Sequence, residues 1–116
     1  MSEEEAAAMA DGWVEACKVD DVEEEDVIPF EHGGRSFAIY RSPDDTFHAT
    51  DGICTHEHAH LADGLVMGDL IECPKHNGRF NYKTGEAKRA PVCVNLRTYP
   101  TRVEDGRVLL QLDQAG

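Results

Sequence analysis

Long apolar runs are missing from this 116-residue chain; stretches such as Gly64-Leu65-Val66-Met67 are soon broken by glycine and aspartate. A membrane-spanning helix needs about 20 consecutive apolar residues, so none is expected. Positive charge is missing where a secretory signal would carry it: the chain opens Met1-Ser2-Glu3-Glu4-Glu5, and the alanines that follow make no proper apolar core. A twin-arginine signal is absent too, and the expected setting is the cytoplasm, away from membranes. Basic residues are scarce overall, 11 Lys and Arg against 23 Asp and Glu, for a net charge of −12. Such a chain does not bind nucleic acid backbones. The deficit is uneven. Residues 1–31 hold twelve acids and one base, Lys18, whereas 32–116 hold eleven acids and ten bases. That asymmetry suits steering towards a basic protein partner, while Glu3-Glu4-Glu5 reads more simply as a solubilising run.

Helical periodicity is also lacking after residue 11, as are internal repeats and low-complexity linkers. Residues 1–11 combine acids with alanines and predict a flexible acidic arm. Residues 12–116 predict one domain, expected as a monomer, since the length supports a single modest core. Its pattern is all-β: short alternating segments separated by turns, as in an antiparallel β-sandwich or barrel. Trp13–Cys17 alternates, Val27–Phe30 and Ser36–Tyr40 flank Gly33-Gly34 as a hairpin, and Ser42-Pro43-Asp44-Asp45 turns into Phe47-His48-Ala49. Lys83-Thr84-Gly85-Glu86 predicts a tight turn, and Asp105-Gly106 joins the runs Asn95–Val103 and Arg107–Leu112. The glycine-rich segment Cys54–Phe80 reads as loop that interrupts this framework, with binding loops over about 52–82.

Four cysteines, at 17, 54, 73 and 93, are enough for two disulfides, but cytosolic thiols stay reduced. Cys17 and Cys93 stand alone in alternating stretches and predict small core residues. The other two have histidines beside them. Cys54-Thr55-His56 is followed, after sixteen residues, by Cys73-Pro74-Lys75-His76. Each short stretch offers one soft thiolate and one imidazole, and two loops can converge such ligands on one metal centre. Only His56 gives Cys-x-His; His58 and His60 predict an exposed loop surface, and His32 and His48 are expected to be structural. Cys2His2 ligands also make closed zinc sites, although the usual zinc-finger spacing differs.

The pattern Cys-x-His, fifteen to seventeen residues, Cys-x-x-His, with Gly78-Arg79-Phe80 after it, resembles the Rieske family, and the likeness runs from Trp13 to Leu112. It is similar to the Rieske-type ferredoxins of bacterial multicomponent, ring-hydroxylating oxygenase systems of aromatic compound catabolism. Cys54-Thr55-His56-Glu57-His58-Ala59-His60 most resembles the ferredoxins of rhizopine catabolism. The resemblance implies a Rieske fold with a two-loop cluster-binding subdomain, and one 2Fe–2S cluster with Cys54 and Cys73 on one iron and His56 and His76 on the other. It implies an electron carrier between an NAD(P)H-dependent ferredoxin reductase and a terminal oxygenase, not an enzyme. A terminal oxygenase needs a further catalytic iron, and this chain ends forty residues after His76. The small subunit of an assimilatory nitrite reductase shares motif and fold, and stays an alternative.

Pro91 occupies the place of the family's proline loop, which covers the cluster. Respiratory and photosynthetic members carry a disulfide between the cluster loops, where this chain has Ala59 and Lys75, and hydroxyl donors where it has Gly78 and Phe80. With fewer donors the potential is expected near the low Rieske limit, about −150 mV. Lys75 and Glu57 flank the ligand histidines and make the tip mixed in sign.

Overall fold

The computed structural model describes residues 12–55, 58–75, 77–90 and 94–112. The expected arm at 1–11, and His56, Glu57, His76, Pro91 and Cys93, lie outside the described residues. Among the described residues eleven strands follow in order: β1 (Trp13–Lys18), β2 (Asp26–His32), β3 (Arg35–Arg41), β4 (Phe47–Asp51), β5 (Leu65–Met67), β6 (Leu70–Glu72), β7 (Arg79–Asn81), β8 (Ala87–Arg89), β9 (Thr98–Tyr99), β10 (Thr101–Glu104) and β11 (Arg107–Gln111). They form three antiparallel sheets, ordered β1-β11-β10, β2-β3-β4-β9 and β5-β6-β7-β8. Only two 3₁₀ turns, Val19–Asp21 and Leu61–Asp63, break the β pattern among the described residues, and no helix there is long and apolar enough to cross a membrane.

The second sheet is the middle layer, and the sequence of β3 shows why. Phe37, Ala38, Ile39 and Tyr40 are all buried, a continuous apolar run of the kind a strand covered on both faces requires. Phe37 and Ile39 point one way, packing with Phe47, Ala49, Tyr99, Val108 and Leu110 against the first sheet. Ala38 and Tyr40 point the other way, into a cluster with Cys54, Leu61, Ile71, Cys73, Phe80 and Tyr82. Strand alternation thus divides one run between two cores.

The turns are set by residues that tolerate positive φ. Gly33 and Gly34, at φ 59° and 78°, form the two-residue β2–β3 loop, and Asp105 and Gly106, at 52° and 76°, form the β10–β11 loop. Both match the twist of their strands. Two readings are corrected. Cys54–Phe80 is not all loop: it carries β5, β6 and most of β7, three-residue strands too short to register as a period. The run Asn95–Val103 is not one strand, because Pro100 divides it into β9 in the second sheet and β10 in the first.

The third sheet is an excursion between β4 and β9, which are themselves hydrogen-bonded neighbours through Ala49↔Tyr99 and Thr50↔Thr98. Side chains seat it on the middle layer. Tyr82 stacks on Tyr40 with centroids 4.6 Å apart and planes 7° from parallel. The turn at Gly68-Asp69 is gripped from several directions. Glu25 accepts the Gly68 N–H at 2.8 Å, the Tyr82 hydroxyl donates to the Gly68 carbonyl, and Lys83 reaches both Asp44 (3.0 Å) and Asp69 (3.2 Å).

Candidate metal centre

Two cysteines open two short loops that close in the same way. The Cys54 N–H donates to the Ala59 carbonyl at 2.9 Å, and the Cys73 N–H donates to the Gly78 carbonyl at 2.8 Å. Each bond joins a residue to the one five further on, so each loop is tied at its root. Neighbouring pairs brace both ties: an Ile53↔His60 bridge at the first, and the Glu72↔Arg79 strand pair at the second, with Arg79 Nε 3.3 Å from a Glu72 carboxylate oxygen.

Both thiols are buried, Cys54 at 5% and Cys73 at 1% exposure, in one apolar cluster with Ala59, Leu61, Ile71 and Phe80. These side chains keep water from the sulfurs. Gly52 and Gly64 let the roots pack closely. A Cβ on Gly64 would meet the Glu72 carbonyl oxygen at 2.1 Å, and one on Gly52 would meet the Phe37 backbone at 2.9 Å.

A third segment borders the first loop. The Thr55 hydroxyl donates to the Val94 carbonyl at 2.7 Å, and the next side chain, Asn95, accepts the Ala87 N–H of β8 at 3.0 Å. Sequence reasoning missed this contact, since nothing in the pattern links Thr55 to a residue 39 positions away. The hydroxyls of the apolar cluster have other acceptors: that of Tyr82 goes to Gly68, and Tyr40 Oη lies 2.8 Å from Thr50 Oγ1. At one of the two positions where the family resemblance leads one to look for a hydroxyl donor, Phe80 is fully buried and has no donor.

The remaining candidates separate cleanly. His58 and His60 are exposed, as expected. His32 is exposed and stacks on Phe30 at 6.0 Å. His48 is half-buried, with Nε2 2.7 Å from Thr46 Oγ1, and burial, followed by the Lys83 charge, lowers its pKa, so its role is structural. Cys17 is only partly buried at the margin of the sandwich core, which corrects the expectation of a core residue. Burial first, then the charges of Asp21 and Glu15, pushes its thiol up to about 11, so it stays protonated and inert. Lys75 is exposed beside the second loop.

The chain is 42% identical over 100 residues to the ferredoxin component of the naphthalene 1,2-dioxygenase system of Pseudomonas putida, covering 86% of this chain and 95% of that protein. It is 38% identical over 105 residues to the ferredoxin component of the naphthalene 1,2-dioxygenase/salicylate 5-hydroxylase systems of a Ralstonia species, covering 90% and 100%. Among solved structures, a complex of reduced oxygenase and oxidised ferredoxin in carbazole 1,9a-dioxygenase contains a chain that superposes with a TM-score of 0.84 at 33% identity, over 90% of this chain and 97% of that one. The model of the Rieske [2Fe-2S] domain matches residues 12–100, and with both cysteine loops inside that span the chain belongs to the Rieske [2Fe-2S] domain family.

Proposed function

We propose that this protein is the ferredoxin of a ring-hydroxylating oxygenase system, taking one electron at a time from an NAD(P)H-dependent reductase and delivering it to a terminal oxygenase. Its cofactor is one Rieske 2Fe–2S cluster, which when bound accepts and returns a single electron. The assigned ligands are Cys54 and Cys73 on one iron and His56 and His76 on the other. The observation that carries this assignment is the pair of buried thiols in one apolar cluster, each opening a loop tied by the same five-residue hydrogen bond. The donor chemistry fits, because two soft sulfurs held dry, each with a histidine two or three positions further along the sequence, suit a mixed thiolate–histidine iron site better than a hard cation.

The chain's own residues supply the rest. Leu61, Ile71 and Phe80 exclude water behind the sulfurs, and the Thr55–Val94 bond fastens the first loop to the segment beside it. The Tyr40–Tyr82 stack holds the subdomain on the middle sheet, and the Glu25–Gly68 and Lys83–Asp44 contacts tie it to the segments flanking that sheet. The cytoplasmic setting belongs to the same proposal and is supported by the likeness to the ferredoxin components of dioxygenase systems. The likeness to rhizopine-catabolism ferredoxins rests on residues 54–60 alone. The relatives at 38% and 42% identity favour the oxygenase reading over the nitrite reductase small subunit.

A three-component assay tests the proposal. Reductase, terminal oxygenase and this protein are mixed with NAD(P)H and an aromatic substrate, and hydroxylated product is measured. Product should require this protein and track its cluster content. A colourless protein that binds zinc, or product formed equally without it, would refute the reading.

A further inference from the structure

One cross-strand pair in the third sheet runs against electrostatics. Arg79 of β7 stands directly opposite Arg89 of the edge strand β8. Like charges in that position destabilise a sheet. Arg79 is neutralised on its other side by Glu72, whereas Arg89 is exposed and has no carboxylate partner among the described residues. A cation at a sheet edge often serves to stop strands of two molecules from pairing. Here that task already has two devices: β8 is three residues long with an irregular register against β7, and Lys88 lies exposed on it. Arg89 is surplus to it.

Its surroundings suggest another use. Ala87 of the same strand is bonded to Asn95, whose neighbour Val94 is 58% exposed and accepts the Thr55 hydroxyl of the first cluster loop. Apolar Val94 thus sits between a cluster loop and the cationic strand, with Lys75 exposed on the second loop. An apolar centre rimmed by charge is the anatomy of a protein contact. The acidic stretch Asp20–Asp26 lies at the other end of the third sheet: Glu25 binds Gly68 at the β5–β6 turn, and β6 runs from that turn to Cys73. Among the described residues, the exposed cations Lys75 and Arg89 therefore stand at the cluster end without a carboxylate partner, while Lys88 and Arg79 are paired with Glu86 and Glu72.

We propose that Val94 and Arg89 form a docking spot for a carboxylate-bearing face of the electron-donating reductase. The inference rests on the donor half of the proposed function. A carrier must bind its donor when oxidised and leave when reduced, and reduction adds one negative charge at the cluster. A contact with carboxylates weakens at that moment and favours release of the reduced carrier. An electron acceptor would need the opposite preference.

The test uses the full chain with its cluster. Arg89→Glu and Arg89→Lys are compared with the parent in stopped-flow oxidation of the reduced protein by two one-electron acceptors, cobalt(III)–EDTA, an anion bearing carboxylates, and hexaamminecobalt(III), a cation. In each case one electron leaves the cluster and cobalt(III) becomes cobalt(II). At low salt Arg89→Glu should slow the first reaction about fivefold and speed the second comparably, both differences fading at high salt, while Arg89→Lys matches the parent. With the reductase of a naphthalene 1,2-dioxygenase system, Arg89→Glu should raise KM for the ferredoxin and leave kcat unchanged. Delivery to the terminal oxygenase of that system should not slow. Rates equal to the parent with both chelates and the reductase overturn the proposal, as does slowing confined to the oxygenase step. Self-association of Arg89→Glu with unaltered reductase kinetics would make Arg89 an edge guard and overturn it too. A parent that accepts electrons from the reductase but passes none to any oxygenase would refute the functional reading and leave the docking spot standing.

Discussion

Replacing Gly64 by alanine should dislodge the second cluster loop without touching any ligand. Gly64 has φ −90°, which any residue adopts, so the effect is purely one of space. The new Cβ would lie 2.1 Å from the Glu72 carbonyl oxygen and 3.1 Å from that of Leu61. Backbone atoms cannot swing aside as a side chain would, so β6 must retreat by roughly 1 Å, as in other overpacked sites. Glu72 immediately precedes Cys73, and the displacement passes directly to the thiol proposed as a cluster ligand. Overpacking of this kind costs about 2 kcal/mol, or roughly 10 °C in Tm for a domain of this size. Gly68→Ala is the control: its φ of +60° makes alanine strained, but no atom lies within 4 Å. That variant should lose about 1 kcal/mol and keep its full cluster. Iron content, visible spectrum and thermal melting of both variants decide the matter. A Gly64→Ala protein with parental iron content and Tm would refute the steric argument, as would equal cluster loss in both.

Cys54→Ser, Cys73→Ser, His56→Ala and His76→Ala should each abolish or grossly alter the Rieske visible and EPR spectra, whereas His58→Ala and His60→Ala should leave them almost unchanged; loss in His58→Ala with retention in His56→Ala would reverse the assignment. With Phe80 lacking a hydroxyl and the Thr55, Tyr40 and Tyr82 hydroxyls bonded elsewhere, the midpoint potential should lie near about −150 mV by protein-film voltammetry, and a value above about +100 mV would defeat that reasoning. Hydrogen bonds from Ser42, Thr46 and Lys83 hold the Asp44 carboxyl well below the usual carboxylate range. A depressed folded pKa contributes stability that is present above the unfolded value of about 4 and is lost as pH falls through the folded one. Asp44→Asn should therefore flatten the fall of Tm on acidification below about pH 4, and an unchanged slope would remove Asp44 from the acid response.

Much of the sandwich was legible because its turns demand particular residues. Gly33-Gly34 and Asp105-Gly106 announce two-residue loops through backbone angles few other pairs accept, and the strands beside them follow. The double-sided burial of β3 shows in its unbroken Phe37–Tyr40 run. The third sheet was hidden because strands of three residues show less than two periods of alternation. Pro100 was visible as a residue but not as the point where one run changes sheets. At the site, ligand types and spacing are local in sequence and could be read there. The Thr55–Val94 bond and the Tyr40–Tyr82 stack depend on segments that meet only through the fold. Cys17 shows the limit of composition: a cysteine in an alternating stretch can still lie at a core's margin.

Viewed as polymer physics, the cluster subdomain is one large loop. Residues 52–97 leave the end of β4 and return as β9 to pair with the strand they left. Joining the ends of a flexible segment of that length costs about 3 kcal/mol of chain entropy, against only the few hydrogen bonds of a two-residue strand. The β4–β9 pairing therefore depends on order inside the excursion. A bound cluster, by cross-linking two points within the loop, shortens the path that must be closed. Tyr99 then transmits the gain to the sandwich, where its ring meets Phe37 edge-on at 5.2 Å and its hydroxyl donates to Asp51 at 2.5 Å. The iron centre and the scaffold beneath it are in this sense one cooperative unit: loss of the cluster loosens an edge of the sheet on which the whole domain is built.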